Sequence, residues 1–418
     1  MLAEPPNPPR AAAARLGLLQ ALNFLGVGIY LPFFPIWLAA RGMDEVAIGY
    51  LLTIPIMVRI AAASWLTGLG DRLISPVTLL ALLNGTVSLS YLALLPAESG
   101  LVIGLVMALN AVALSGVVPL ADLLTTAQSR IHPAVNYGRV RLWGSVSFLA
   151  ANIGGGWLIA AFGPGVVPLA LSLGSAFATL AALAAPAPPV EVPPSAAAGE
   201  AAPRFGRAFW YAVAAAACVN ATHAALYGFG SLHWRSRGFG DPAIGLLWAV
   251  GVAAEIALFL WGGGVVARGA AAGLAWIAMA GCAALLRFGA MALDPGYLAT
   301  ALLQLLHGLS FGAMHLGAMA AVSALAPAGR RAAAQGRLVA VSAVASAGMT
   351  ILSGYLYRRH AELVFLSMIP LAITGLCCVA LAMRHLPGDR DGWGGSGPIG
   401  QAPRAGRETA QARAKDVT

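Results

Sequence analysis

Apolar runs of about 20 residues, each long enough to cross roughly 30 Å of hydrocarbon as a helix, recur along almost the whole chain. They fall near 15–40, 46–67, 73–95, 101–128, 139–162, 165–186, 207–235, 243–266, 270–292, 297–326, 334–357 and 361–385. Twelve such runs predict an all-α membrane protein with twelve transmembrane helices. The first begins near Arg15 and is too long for a signal peptide, so it is expected to stay in the membrane. Its end, "YLPFFPIWLAARG" from Tyr30 to Gly42, is unusual because Pro32 and Pro35 each remove a backbone donor. A helix beside a water-filled cavity tolerates such residues, since neighbouring helices and water satisfy the freed carbonyls. Pro32 and Pro35 are therefore expected in a bent, gating helix.

The pattern is interrupted once in mid-chain. Between about 187 and 206 it collapses into "APPVEVPPSAAAGEAAPR", a Pro- and Ala-rich stretch that reads as a flexible linker. The expected organisation is a cytoplasmic segment over 1–14, a six-helix bundle over 15–186, the linker over 187–206, a second six-helix bundle over 207–386 and a disordered tail over 387–418. The halves repeat. Arg41-Gly42 followed by "AIG" at Ala47 to Gly49 returns as Arg237-Gly238 followed by "AIG" at Ala243 to Gly245, 196 residues later in both cases (237 − 41, 243 − 47). Gly138-Arg139 recurs as Gly336-Arg337, two residues out of step. Two parallel six-helix repeats, pseudo-symmetric about an axis along the membrane normal, are the plan of the major facilitator transporters, whose substrate site lies at the midplane between the halves.

Composition agrees. Of 418 residues 59% are hydrophobic and 10% are charged, with a mean hydropathy of +0.79, whereas soluble domains carry about 25% charge. The net charge of +9 is spread over short loops and the tail, which fits membrane orientation and not nucleic-acid binding. With both termini in the cytoplasm, the inner loops hold Arg72, Arg130, Arg139, Arg204, Arg207, Arg268, Arg330, Arg331 and Arg337, against Arg41, Arg237, Arg358 and Arg359 outside. The expected setting is multi-pass in the plasma (inner) membrane. The four cysteines show no metal spacing and no disulfide framework, and no metal or cofactor is expected.

Charge inside the spans carries the chemistry. A charged side chain at a bilayer centre costs at least ~2.5 kcal/mol, so each must face the interior and find a partner. The candidates are Arg59, Asp122, Arg141, Glu255, Arg287, His307 and His315, with Asn23, Asn110 and His223 as weaker polar positions. At the repeat spacing, Arg59 corresponds to Glu255 (255 − 59 = 196), so equivalent helices carry opposite charges. Pro119, three residues before Asp122, predicts a kink beside it. In a regular helix His307 and His315 would lie about 80° apart, both able to line one cavity. The competing reading is structural: an intramembrane arginine paired with a carboxylate can simply fasten two helices. "GLGDR", with Gly68, Asp71 and Arg72, follows the second span and reads as a gating element. Trp65, Trp143, Trp157, Trp210 and Trp234 lie near span ends and read as interfacial anchors.

The motifs "YLPFFPIWL", "GDRL" (Gly70 to Leu73), "VVPLADLL" (Val117 to Leu124) and "YGRVRLWGSVSF" (Tyr137 to Phe148) resemble the phenylpropionate permease group of the major facilitator superfamily. So do "HAALYGF" from His223, "GVAAEIALFL" from Gly251, "LLRFG" from Leu285 and "QLLHGLSFGAMHLGAM" from Gln304. The same motifs are similar to those of the lactose permeases. By that resemblance Glu255 and Arg141 match sugar-contacting charges, Phe148 the aromatic under the sugar ring, and Asp122 a carboxylate one residue out of register. Arg287 and His307 match the coupling network. Ser310 stands where the lactose permeases carry the proton-exchanging glutamate, so Glu255, Asp122 or a histidine would have to carry a proton here. Arg59 resembles an arginine of the phenylpropionate group, and a guanidinium suits a carboxylate.

The expectation is a non-enzymatic secondary transporter, monomeric in the bilayer, importing a small organic acid with protons by alternating access. A sugar or nucleoside symporter, an efflux antiporter and a membrane sensor are the alternatives. An enzyme would gather carboxylates or histidines near one interface, whereas these charges are spread over both halves.

Overall fold

The computed structural model describes residues 9–70, 74–132, 134–186, 204–361 and 363–386. Asp71, Arg72, most of the expected linker and the whole expected tail lie outside the described residues, as do the side-chain surroundings of Gly68 and Trp65. Twelve helices long and apolar enough to cross a membrane follow one another: α1 (Pro9–Ala40), α2 (Glu45–Gly70), α3 (Pro76–Ala93), α4 (Gly100–Ile131), α5 (Tyr137–Phe162) and α6 (Val166–Leu183). The second six are α7 (Arg207–Ser236), α8 (Asp241–Gly262), α9 (Gly269–Met291), α10 (Tyr297–Leu325), α11 (Arg331–Arg359) and α12 (Leu363–Arg384).

Local chemistry sets the ends. Ser75 caps α3, its hydroxyl accepting from the Thr78 amide at 3.2 Å, with Pro76 in the first turn where a missing N–H costs nothing. Asn136 caps α5 through the Arg139 amide at 3.0 Å. The repeated Arg-Gly pair is a helix stop: Gly42 and Gly238 adopt φ of 79° and 84°. The following amides reach back to carbonyls five residues earlier, Met43 to Leu38 at 3.2 Å and Phe239 to Trp234 at 3.0 Å. That left-handed stop favours glycine, which explains why the pair returns at the repeat spacing.

The halves differ in how their helices are perturbed. α1 runs as one helix through Pro32 and Pro35, and α4 through Pro119. In the second half, α7 and α10 instead contain wide π turns at Leu226–Gly230 and Gly308–Ala313. Within the first half α1 packs on α5 and α6, and α4 on α2 and α3; within the second, α7 packs on α11 and α12, and α9 on α10 and α12. Across the halves, α2 meets α11 and α5 meets α8.

Those two crossings share one device. A Cβ on Gly49 would lie 3.1 Å from the Thr350 carbonyl oxygen, and one on Gly245 only 2.3 Å from that of Asn152. Conversely, a Cβ on Gly354 would lie 2.5 Å from the Glu45 carbonyl oxygen, and one on Gly156 2.4 Å from that of Asp241. The pairs are equivalent by the repeat, at offsets of 196 (245 − 49, 241 − 45) and 198 (354 − 156, 350 − 152). The repeated "AIG" is thus the place where the backbones of opposite halves touch. Thr53 Oγ1 to the Ala347 carbonyl at 3.3 Å, Tyr50 against Tyr355 at 3.2 Å and Arg358 with Asp44 at 3.7 Å reinforce one crossing. The two halves are therefore clamped together at the end that carries the α1–α2 and α7–α8 connections.

One expected anchor is elsewhere. Trp143, Trp157 and Trp210 are exposed, but Trp234 is buried and packs edge-on against Trp248, with ring centroids 6.2 Å apart. It follows the π turn of α7, which rotates it toward α8 and the core.

Candidate functional site

Arg59 and Glu255 each lie ten residues beyond the clamp glycine of their helix (59 − 49, 255 − 245), roughly 15 Å along the axis at 1.5 Å per residue. Cavities open there. One lies between the halves and is lined by Tyr30, Pro35 and Arg59 from the first half and by Asn220, Tyr227 and Ser346 from the second. A neighbouring cavity is lined by Leu31 and Phe148 across from Trp248, Glu255, Arg287 and His307. Leu31 and Tyr227 border both, which makes the two spaces adjacent. Pro32 is buried beside them in α1.

The second-half cluster centres on Arg287, which is fully buried on α9. Its Nη1 donates to His307 Nδ1 at 2.9 Å and to Ser310 Oγ at 3.2 Å, and its Nη2 donates to Gln304 Oε1. Gln304 in turn donates to the Leu247 carbonyl at 3.2 Å. Because His307 accepts at Nδ1, its proton sits on Nε2, and that nitrogen faces Glu255 Oε2 at 3.7 Å. Ser310, having accepted from Arg287, can donate to His223 Nε2 at 3.1 Å, while His223 Nδ1 donates to the Asn220 carbonyl at 3.2 Å. One polar chain therefore runs from His223 through Ser310, Arg287 and His307 to the half-buried Glu255. Every group bonded directly to the Arg287 guanidinium is neutral, and its Nε has no partner among the described residues. A buried cation held this way needs an anion nearby, and Glu255 is the carboxylate that reaches it, through His307.

Glycine makes the chain possible. A Cβ on Gly308 would sit 2.6 Å from the Ala254 carbonyl oxygen, so only glycine lets α10 approach α8 closely enough to face His307 toward Glu255. The two histidines are linked through Phe311: the rings of His307, Phe311 and His315 stack in succession, with centroids 5.3 and 6.4 Å apart and planes within 6° and 14°. His307 lies at the cavity end of that column. His315, at its other end, is exposed and lines neither space.

Asp122 and Arg141 are brought to one another instead. Their side chains are 3.8 Å apart, Gln20 donates to Asp122 at 2.9 Å, and the Arg141 guanidinium covers the Phe24 ring at 3.9 Å. Neither residue borders the cavities of Arg59 or Glu255. Phe148, by contrast, stands opposite Glu255. Arg59 is exposed to the cavity, and among the described residues no carboxylate lies within 4.0 Å of its nitrogens. Asn23 faces a third space, inside the first half, with both amide atoms buried and without a partner among the described residues. Sequence reasoning missed Gln20, Phe24 and Gln304. Gln304 had a signal, since it precedes His307 by three residues on one helical face; Phe24 had none, because its contact with Arg141 is made between helices.

Comparison with known proteins places this architecture. The MFS_1 like family matches residues 15–368, and the chain belongs to it. It is 30% identical over 368 residues to the probable 3-phenylpropionic acid transporter of Escherichia coli (strain K12), covering 84% of this chain and 93% of that protein. It is 34% identical over 181 residues to the maltose permease of Geobacillus stearothermophilus, covering 41% and 44%. The fold is similar to the crystal structure of a mutant form of the nucleoside transporter NupG, with a TM-score of 0.73 at 16% identity over 89% of this chain and 99% of that one. The protein is a major facilitator transporter and not an enzyme, and its described residues include twelve helices long and apolar enough to cross a membrane.

Proposed function

We propose that the protein imports a small organic acid, of the aryl-alkyl carboxylate kind, together with a proton by alternating access. The observation that carries this reading is Arg59: a guanidinium beneath the clamp, open to the cavity between the halves, with no protein carboxylate on it among the described residues. Such a cation attracts an anion and can hold a carboxylate through two parallel hydrogen bonds. Tyr30 and Tyr227 beside it offer aromatic faces to the rest of the ligand. The name of the 30% identical relative supports the same chemistry. In this reading Asn23 and Phe148 contact substrate, Glu255 exchanges the proton through its contact with His307, and Arg287 holds the histidine in place. The Asp122–Arg141 pair fastens helices in the clamped state and becomes available to ligand or proton only when the halves rearrange.

The decisive experiment compares an acid with its amide. Arg59→Lys should weaken binding of 3-phenylpropionate to purified protein by on the order of 1–3 kcal/mol, because a point charge cannot reproduce the bidentate fork. The amide of the same acid should bind wild type and variant alike. Equal losses for both ligands would make Arg59 a structural group and remove the reading.

The orientation belongs to the same proposal. With the linker and tail in the cytoplasm of a plasma-membrane protein, the clamp closes the outer side and the cavities face inward. In a variant lacking the four native cysteines, cysteines placed at Pro193 and Trp393 should resist an impermeant thiol reagent in intact cells, and labelling of either would reverse the topology.

A further inference from the structure

A third cavity lies inside the first half, enclosed by α1, α2, α3, α4 and α6. Tyr30, Val27, Pro55 and Arg59 border both this space and the one between the halves, so they form its mouth. Its interior is mixed. The face of α1 that lines it carries Asn23, Gly26, Val27, Tyr30 and Phe34, one helical stripe, with Tyr30 and Phe34 stacked at 4.5 Å between centroids. A Cβ built on Gly26 would meet nothing within 4 Å, so this glycine is not required by packing and leaves open room above the helix.

The polar groups of this space are oriented and incomplete. Asn110 is buried and donates from Nδ2 to Ser90 Oγ at 2.6 Å and to the Val87 carbonyl at 3.5 Å, which uses both of its protons. Asn84, also buried, donates from Nδ2 to the Leu80 carbonyl at 3.2 Å. The amide oxygen of Asn84 accepts no hydrogen bond among the described residues, the Tyr91 hydroxyl stands beside the Asn110 amide, and Asn23 makes no hydrogen bond at either amide atom among those residues. Buried amides without partners are costly in an apolar interior, which points to a ligand or water that completes them.

We infer that this cavity is a side pocket of the substrate site, receiving the ring of an aryl-alkyl carboxylate whose carboxylate remains on Arg59, and that Asn84 and Asn110 select rings bearing a hydroxyl group. The inference rests on the assignment of Arg59 to the substrate carboxylate. A hydroxyl supplies the donor that the Asn84 oxygen lacks and can join Tyr91 at the Asn110 amide, whereas an unsubstituted ring does neither. The aromatic pair Tyr30 and Phe34 flanks the ring's path.

Binding of acetate, 3-phenylpropionate and 3-(4-hydroxyphenyl)propionate to the purified full-length protein tests this. In the wild type the hydroxylated acid should bind about three- to tenfold more tightly than the plain one. Asn84→Leu, and separately Asn110→Leu, should reduce that ratio to about one while plain acid binding stays within about twofold. Gly26→Val should weaken both aryl acids roughly tenfold or more by filling the pocket, with Gly26→Ala giving a smaller loss, and both should leave acetate unchanged. Thermal melting of each variant identifies folded protein, and the two asparagine variants and two glycine variants serve as alternatives to one another. Equal wild-type affinity for the two aryl acids would overturn the selection by hydroxyl. Unchanged aryl binding in folded Gly26→Val would overturn the side pocket, and neither result touches the Arg59 comparison of acid and amide.

Discussion

The two halves share a scaffold and invert its chemistry. At the equivalent point of equivalent helices, ten residues beyond an equivalent glycine, the first half places Arg59 and the second Glu255. Arg59 stands open to the cavity without a protein anion among the described residues, whereas Glu255 is drawn toward a buried histidine and, through it, toward a buried arginine. Helix perturbation differs in the same sense. The first half bears prolines in α1, α2 and α4 without interrupting those helices; the second bears π turns in α7, three residues beyond His223, and in α10, where one holds Ser310. Duplication supplies the clamp, and in the proposed mechanism divergence at one site per half supplies an anion-facing side and a proton-exchanging side. That division of labour is what experiments can break.

The largest effect is expected at Glu255. An anion of charge −1 entering with one proton moves no net charge, so membrane potential, otherwise worth about 2.3 kcal/mol per charge per 100 mV, contributes nothing. Only the pH gradient drives it. Glu255→Gln mimics the permanently protonated carboxyl, so in proteoliposomes it should abolish accumulation driven by an acid exterior yet retain exchange of labelled for unlabelled substrate. Accumulation that survives in the variant would move the proton elsewhere, His307 first. A current driven by potential in the wild type would dismiss the electroneutral scheme.

Arg287 comes next. Its guanidinium holds His307, Ser310 and Gln304 at once from a fully buried position. Lysine has three donors on one point and cannot span the same fork. Arg287→Lys should lower unfolding stability by about 2–3 kcal/mol in detergent and impair coupling together with it. The matching change in the first half, Arg59→Lys, should leave stability within about 0.5 kcal/mol, since no protein carboxylate there loses a partner. If the two variants melted alike, the contrast between a ligand-facing and a structural arginine would fail.

Much of this plan was legible in the sequence, for physical reasons. Span number and helical class follow from apolar length, and the halves from the Arg-Gly and "AIG" repeats, because a left-handed stop and a backbone crossing both demand glycine at a fixed place. The opposition of Arg59 to Glu255 was legible from the repeat spacing alone. The π turns were not. They are made of the same small and aromatic residues as ordinary helix, so nothing in the pattern of the spans marks them. The Arg141 contact with Phe24 was equally hidden, because nothing in either span indicates which faces of α1 and α5 meet. The inner cavity of the first half also left only a faint trace: Asn84 and Asn110 look like any polar residue in a span until the helices around them are assembled.

The clamp offers a milder test of the symmetry. Gly354→Ala and Gly156→Ala would each press a methyl group against a backbone carbonyl of the opposite half, at 2.5 and 2.4 Å in the present arrangement. Each should disfavour the clamped state and increase labelling of a cysteine at Tyr50, in a background without native cysteines, by a few-fold, with folding stability changed by less than about 1 kcal/mol. Because the crossings are equivalent, the two variants should act alike. A large effect from one and none from the other would mean that only one crossing governs opening.

The smallest effect is expected at His315, and it separates geometry from residue type. His307 and His315 are the same side chain on the same helix, two positions of one ring column, yet only His307 contacts Arg287 and faces Glu255. His315 is exposed beyond Phe311 and Phe259 and touches no group of the polar chain. His315→Gln should therefore change pH-driven uptake by less than about twofold, within the range of an ordinary surface substitution. His307→Gln, which removes the titratable ring and its Nδ1 acceptor for Arg287, should reduce uptake severely while the binding of substrate to Arg59 persists. Uptake assays on both variants in the same vesicles give the comparison directly. A strong loss in His315→Gln would extend the proton route along the column to its exposed end, and would show that stacking through Phe311 does not mark where the route stops.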